Sequence, residues 1–88
     1  MPRIEVSLRF LQAYRELPPE VQLKVKKALH LLAENPRHPS LRAKPIQGAL
    51  GIYEARIDRR YRLTYARLPG DILQIRVVGA HDEALNNP

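Results

Sequence analysis

Several residue types that often narrow the choice of fold are scarce or missing in this chain of 88 residues. It has no cysteine and no tryptophan, and it has only one phenylalanine and four glycines. Without cysteine the chain can form neither a disulfide nor a thiolate metal site. The longest mostly apolar run, 28–33, is interrupted by His30 and is too short to span a bilayer. These absences favour a soluble domain and exclude a membrane-spanning helix.

The length of the chain predicts a single domain over residues 1–88, with one core and one functional site. A chain this short buries only about 60 to 65% of its unfolded surface, so a partner that covers one face would add to its stability. Residues 1–5 lack the charged and then apolar layout of a secretory signal peptide. We therefore expect a cytoplasmic protein with no membrane partner.

Positive charge is in excess over negative charge. Fifteen Lys and Arg residues against nine Asp and Glu residues give a net charge of +6. Such an excess favours a polyanionic partner, because each phosphate that Lys or Arg neutralises releases counterions. An acidic protein partner fits the same charge balance, and small proteins are often basic for solubility alone. Composition by itself leaves these alternatives open.

The spacing of apolar residues predicts one strand and two helices in the first part of the chain. Apolar and polar residues alternate over 4–8, which is typical of a half-buried strand. Ser7 can cap a helix over 8–17, and two prolines follow it. A second helix is predicted from Pro19, which suits a first turn, to about Glu34. Its apolar stripe consists of Val21, Val25, Ala28, Leu29 and Leu32.

The opposite side of the second helix combines one apolar residue with three basic or titratable ones. These residues are Leu23, Lys26, Lys27 and His30. A lone exposed leucine is ordinary, but beside these neighbours it is consistent with a surface that binds a partner.

An irregular loop and three strands are predicted for the rest of the chain. The loop over 35–51 contains three prolines and two glycines, and a loop of this length is often functional or mobile, or simply a solvated connector. Alternating patterns with short turns between them predict strands over 52–57, 61–67 and 72–78. The basic residues and histidine of the loop are Arg37, His38, Arg42 and Lys44.

This order of elements predicts an α+β domain with two helices packed on one face of a four-stranded, largely antiparallel sheet. The residues expected to face the helices are Tyr53, Ala55, Ile57, Tyr61, Leu63, Tyr65, Leu73, Ile75 and Val77. The residues expected on the opposite, uncovered face are Glu54, Arg56, Arg62, Thr64, Gln74 and Arg76. Three arginines and a carboxylate on rigid strands form a polar surface large enough for a phosphate group.

Four segments in this order resemble a known family: 31–41, 51–57, Tyr-Arg-Leu-Thr-Tyr at 61–65, and Val-Val-Gly-Ala-His-Asp-Glu at 77–83. Together they resemble the RelE/ParE superfamily of bacterial toxins. The resemblance implies a RelE-like fold and the role of toxin in a type II toxin–antitoxin module, with a cognate antitoxin as partner. Nucleases of this family enter the ribosomal decoding site and cut mRNA, whereas ParE-like members poison DNA gyrase.

The resemblance also implies roles for individual residues. Arg62 matches the family's catalytic arginine, and Arg56 matches the basic residue of the preceding strand. His81 falls where nuclease members carry an arginine or, in YoeB-like members, a histidine. Lys44 lies near a loop position that holds a candidate base, and Glu54 is the alternative base because it shares a face with Arg56. Arg37, Arg42, Lys44 and Arg76 are expected to bind RNA.

The reaction that the resemblance implies is transesterification, in which the ribose 2′-hydroxyl attacks the adjacent phosphorus of mRNA on the ribosome. RNA supplies its own nucleophile, so an endoribonuclease of this kind needs an acid, a base and positive charge, and we expect neither a metal nor a small-molecule cofactor. His81 would act as the acid. One departure from the family is that 82–88 contain no aromatic residue to stack on a base.

Plainer interpretations of the same residues remain. Glu54 and Arg56 can form a surface ion pair, and His81 can hydrogen-bond Asp82 or Glu83. The functional alternatives are a ParE-like DNA gyrase inhibitor, which needs neither acid nor base, and a non-toxic homologue that only binds its antitoxin.

Overall fold

The computed structural model describes residues 1–88 and contains five strands and three α-helices. In chain order the elements are β1 (Arg3–Val6), α1 (Leu8–Arg15), α2 (Pro19–Glu34), a short 3₁₀ helix (Pro39–Leu41), β2 (Lys44–Pro45), β3 (Ile52–Arg56), β4 (Tyr61–Leu68), β5 (Ile72–Ala80) and α3 (His81–Asn86). None of the helices has both the length and the apolar character needed to cross a membrane.

The five strands form one mixed sheet in the order β1-β5-β4-β3-β2. The edge strand β1 runs parallel to β5, and the remaining pairs are antiparallel. The predicted α+β class is confirmed, and so is the packing of two helices against a largely antiparallel sheet. The sheet has one strand more than predicted, because Lys44–Pro45 pairs with β3 at the second edge. A strand of two residues is too short to produce a recognisable alternation.

The predicted start of α1 is confirmed in its hydrogen bonds. The Ser7 hydroxyl oxygen accepts a hydrogen bond from the Phe10 N–H at 3.0 Å and donates one to the Arg76 carbonyl at 2.8 Å. Ser7 therefore caps the helix and ties it to β5. The helix ends at Arg15, two residues earlier than predicted. The bounds predicted for α2 are confirmed.

The core lies between α1, α2 and one face of the sheet. Its fully buried members include Val25 and Leu32 from α2, and Leu63 and Ile75 from β4 and β5. Burying such side chains contributes about 1.5 to 3 kcal/mol each.

A β-bulge in β5 changes which valine enters this core. The register between β4 and β5 shifts after Thr64, which lies opposite Val77, and Arg76 is the extra residue. An extra residue reverses the alternation beyond it, so Val78 packs in the core instead of Val77. The prediction that Val77 faces the helices was therefore wrong.

The helix α3 was not predicted, and it covers part of the sheet face that was expected to be open. Ala84 of this helix is 1% exposed, and Thr64 on the sheet is fully buried. A Cβ atom added to Gly79 would lie 3.6 Å from a carboxylate oxygen of Glu83. The prediction of an uncovered face was therefore wrong. The helix has six residues and only one buried alanine, so it produces no repeating apolar pattern that the sequence could reveal.

Candidate functional site

The strand register determines which residues are neighbours on the sheet face opposite α1 and α2, called here the polar face. One row across the sheet consists of Lys44, Glu54, Thr64 and Val77. The next row consists of Arg56, Arg62 and Gly79. Side chains in directly opposite positions start about 4.5 to 5.5 Å apart at their Cβ atoms. The two candidate bases and the two candidate catalytic arginines therefore occupy adjacent rows of the sheet.

Arg56 and Arg62 are cross-strand partners, but their side chains are held differently. The Arg62 guanidinium donates hydrogen bonds to the Asp58 carbonyl at 2.6 Å and to the Tyr61 carbonyl at 2.9 Å. Arg62 is therefore half-buried against the turn between β3 and β4, and it is not freely exposed as the alternation suggested. Arg56 is also half-buried, yet its guanidinium has no ion-pair partner. The two arginines occupy directly opposite positions of β3 and β4, and guanidinium groups form charge-assisted hydrogen bonds with phosphate.

Asp58 builds the turn that orients Arg62. Its Oδ1 atom accepts hydrogen bonds from the Arg60 and Tyr61 N–H groups at 2.9 Å each, and its Oδ2 atom lies 3.1 Å from the Lys24 Nζ atom. Burial raises the pKa of the Asp58 carboxyl, but these hydrogen bonds and the Lys24 charge outweigh burial and hold the pKa below its ordinary value of 3.8. Asp58 therefore stabilises the turn whose carbonyl oxygens accept hydrogen bonds from Arg62.

The two candidate bases contact each other. The Lys44 Nζ atom lies 3.9 Å from the Glu54 Oε1 atom. Glu54 is 8% exposed, whereas the Lys44 side chain is open to solvent. The sequence left the choice between these two bases open, and the structure brings them together as one ion pair.

His81 begins α3 at the same end of the sheet as the two arginines. Its backbone N–H donates to the Arg60 carbonyl at 2.8 Å, and Gly79 two residues earlier lies opposite Arg62. The imidazole is exposed, and its Nδ1 atom lies 3.2 Å from the Asp82 Oδ1 atom. The Nε2 atom of the same ring has no hydrogen-bond partner in the protein.

Arg76, predicted to bind RNA, is held by the last residues of the chain. Its Nε atom donates to the Pro88 carbonyl at 2.8 Å, and the Thr64 hydroxyl donates to the same oxygen at 3.2 Å. An Arg9 side-chain nitrogen also donates to the Asn87 carbonyl. These contacts fix residues 87–88 across the polar face.

Arg37 and Arg42 lie elsewhere, although the sequence grouped them with Lys44. Both line a cavity of about 460 Å³ between the residues after α2 and the strand ends on the helix side of the sheet. Arg67, Tyr53 and Tyr65 line the same cavity. None of these three residues was predicted to line a site, and the tyrosines were assigned to the core. The available signal was Arg67 itself, a charged residue on the helix-facing side of a strand.

The polar face has the groups that phosphoryl chemistry on RNA requires. Arg56 and Arg62 supply positive charge, His81 supplies an exposed imidazole, and the Glu54–Lys44 pair supplies a carboxylate beside an ammonium group. No three histidine, aspartate or glutamate side chains converge as metal ligands in the structure.

No protein-family model matches the sequence, and no curated protein matches it. Solved structures do match over nearly the whole chain. YafQ from E. coli is 22% identical with a TM-score of 0.76, and the match covers 94% of this chain and 97% of YafQ. In the archaeal RelE–RelB complex from Pyrococcus horikoshii, the matching chain is 18% identical with a TM-score of 0.76, covering 94% of this chain and 98% of that one.

The YoeB/ParE toxin from Agrobacterium tumefaciens is 17% identical with a TM-score of 0.75, and the match covers 90% of this chain and 98% of the toxin. At these identities the likeness concerns the fold. The resemblance seen in the sequence is confirmed at that level: this chain has the fold of the RelE, YafQ and YoeB/ParE toxins.

Proposed function

We propose that this protein is the toxin of a type II toxin–antitoxin module and acts as a ribosome-dependent mRNA interferase. The observation that carries the proposal is the corner of the polar face where Arg56 lies opposite Arg62 and His81 follows at the same end of the sheet. These are the three residues to which the family resemblance assigns phosphate stabilisation and proton donation. The likeness to toxin folds supports the coarser part of the proposal.

The proposed reaction is an attack of the ribose 2′-oxygen on the adjacent phosphorus. The new 2′-O–P bond forms as the P–O5′ bond breaks, which leaves a 2′,3′-cyclic phosphate and a 5′-hydroxyl. Arg56 and Arg62 stabilise the charge that builds on the phosphorane oxygens. His81 donates a proton to the leaving O5′ atom.

The general base in this scheme is Glu54. A carboxylate has oxygen lone pairs that accept a proton, whereas an ammonium group has only donors. Lys44 then serves to hold the Glu54 carboxylate through their contact at 3.9 Å.

Residues 82–88 contain no aromatic side chain to stack on a base, so this segment offers no such means of aligning the 2′-hydroxyl with the phosphorus and the leaving oxygen. We propose that the ribosome provides this alignment. The protein should therefore cut translated mRNA rapidly and naked RNA slowly.

The test is a comparison of the same message with and without translating ribosomes, followed by mapping of new 5′ ends. New 5′-hydroxyl ends that require translation support the proposal. Equal cleavage of naked RNA contradicts the ribosome dependence, and the absence of any cleavage contradicts the nuclease.

The second candidate is a ParE-like inhibitor of DNA gyrase. Two observations favour it. The helix α3 and residues 87–88 cover part of the polar face, and residues 82–88 contain no aromatic side chain. A supercoiling assay with purified gyrase distinguishes the two, since inhibition without RNA cleavage favours the gyrase inhibitor.

A further inference from the structure

The cavity on the helix side of the sheet is separate from the polar face. It lies between the segment after α2 and the ends of β3 and β4, and its volume is about 460 Å³. Sites for small molecules typically have about 300 to 1,000 Å³. This cavity is therefore large enough for a phosphate group together with an attached sugar or base.

The lining of the cavity is strongly basic. Arg37 and Arg42 come from the segment after α2, and Arg67 comes from β4. The ion pairs of the chain involve other residues, so none of these guanidinium groups is neutralised. Asp71 is the one carboxylate in the lining. A basic residue just after a helix is explained by the helix dipole, but Arg67 has no such explanation, because it belongs to a strand.

Two stacked tyrosines form the wall of the cavity on the sheet. The rings of Tyr53 and Tyr65 are 5.5 Å apart at 17°, and the Arg67 guanidinium lies 5.6 Å from the centre of the Tyr53 ring. This cation–π contact holds Arg67 in place before any ligand arrives. A guanidinium group that is already ordered loses less entropy when it binds an anion.

The hydroxyl of Tyr65 is a second indication of a ligand site, independent of the positive charge of the arginines. Tyr65 is 2% exposed, and its hydroxyl has no hydrogen-bond partner in the protein, yet no side-chain polar atom of the chain is both buried and unpaired. Its hydroxyl must therefore reach the small accessible area that the residue keeps, and the cavity is lined by Tyr65. Burial raises the pKa of Tyr65, so the hydroxyl keeps its proton at neutral pH and can donate a hydrogen bond.

We infer that this cavity binds a phosphate ester of nucleotide size, with the phosphate held by Arg37, Arg42, Arg67 and the Tyr65 hydroxyl. The ester group fills the rest of the space beside His38 and the prolines of the loop. The phosphate comes either from an RNA strand or from a free nucleotide. Because the cavity is on the other side of the sheet, this site is independent of the nuclease proposed for the polar face.

Amide NMR titration of the full chain tests the inference with four probes. These are adenosine 5′-monophosphate, adenosine, a single-stranded RNA of six adenosines and a hexaglutamate peptide. We expect saturable shifts at Arg42, Tyr65 and Arg67 with the monophosphate or the RNA, and none with adenosine. Equal affinity for the monophosphate and the RNA identifies a free nucleotide as the source, and binding of RNA alone identifies a strand.

Two variants and one control assign the binding to the cavity. Arg67→Gln removes one guanidinium group, and Tyr65→Phe removes a single oxygen atom and preserves the packing. Each should weaken binding about tenfold, because each loses a hydrogen bond to a charged group. Arg59→Gln removes an exposed arginine outside both sites and should change the affinity less than about twofold. Urea unfolding of each variant checks that the fold is intact.

Several results would overturn the inference. The first is the absence of saturable shifts with both the monophosphate and the RNA. The second is that adenosine gives the same shifts as the monophosphate, or that hexaglutamate binds more tightly than the monophosphate. The third is an equal loss of affinity in Arg59→Gln and Arg67→Gln. An absence of RNA cleavage together with unchanged nucleotide binding would contradict only the nuclease proposed for the polar face. It would leave the inference about this cavity standing.

Discussion

The Arg62 guanidinium donates two hydrogen bonds to backbone carbonyls of the turn between β3 and β4. Arg62→Ala removes both charge-assisted hydrogen bonds, and although the Tyr61 carbonyl still accepts from the Ile57 N–H at 3.1 Å, the Asp58 carbonyl loses this donor. We therefore expect the free energy of unfolding to fall by about 1 to 3 kcal/mol. Arg59→Ala, in the same turn but exposed, should change it by no more than about 0.5 kcal/mol. Urea denaturation measures both. Equal stability of the two variants would show that the Arg62 hydrogen bonds contribute nothing.

Asp58 makes the stability of this turn depend on pH. Its carboxyl pKa is lower in the folded chain than its ordinary value of 3.8, so its stabilising effect is present above that value. The effect is lost as the pH falls below 3.8 and through the pKa of the folded state. Asp58→Asn keeps an oxygen that can accept the Arg60 and Tyr61 hydrogen bonds, but it cannot titrate.

We therefore expect the difference in unfolding free energy between wild type and Asp58→Asn to shrink steadily in acid. Urea unfolding from about pH 6 to about pH 2.5 measures this difference, and the other carboxylates cancel because both chains carry them. A constant difference over this range would mean that Asp58 has an ordinary pKa in the folded chain.

At the scale of elements, α3 decides how much of the polar face is accessible. Ala84→Asp places a carboxylate where the alanine is 1% exposed, so α3 should detach from the sheet while the core remains. Hydrogen exchange should then speed up in α3 and at the side of β4 and β5 that it covers. Asn86→Asp adds the same charge at an exposed position of the helix and should leave exchange unchanged. Unchanged exchange in Ala84→Asp would mean that α3 is only loosely packed.

The elements that the sequence predicted are those with a repeated apolar pattern. The helix from Pro19 to Glu34 keeps four buried residues at helical spacing, so its bounds could be read directly. The bulge at Arg76 could not be predicted, because one extra residue is a property of strand pairing and leaves the composition unchanged. The same is true of β2, whose pairing with β3 depends on the path of the loop.

For the candidate site, the sequence could predict sets of residues on one face but not their partners. Alternation placed Glu54 with Arg56 and Arg62, and the register agrees. It could not show that Lys44 contacts Glu54 or that Arg62 bonds to its own turn, because those contacts depend on loop conformation. It also could not separate Arg42 from Lys44, which are two residues apart in the chain but belong to opposite sides of the sheet.

At the scale of the whole molecule, the exposed side of α2 is the surface we propose for the antitoxin. Leu23 is 67% exposed, and Lys26, Lys27 and His30 are exposed beside it. An acidic amphipathic segment encoded next to this gene should bind there. The double variant Lys26→Glu, Lys27→Glu should weaken co-purification of that partner at least about tenfold, since it reverses two charges at the contact.

The matched control for this prediction is Arg15→Glu with Arg59→Glu. Both positions are exposed, and the change in net charge is the same, but neither residue belongs to α2. Equal loss of the partner in the two double variants would mean that overall charge, and not this surface, determines the association.

The measurement that tests the central claim most directly is mRNA cleavage by Arg56→Gln. Arg56 lies opposite Arg62 and has no ion-pair partner, so its removal should leave the unfolding free energy within about 0.5 kcal/mol of wild type. If the polar face cleaves mRNA on the ribosome, Arg56→Gln should lower the cleavage rate on a translated message at least about hundredfold, while Arg59→Gln keeps it. Full cleavage by a stably folded Arg56→Gln variant would contradict the account.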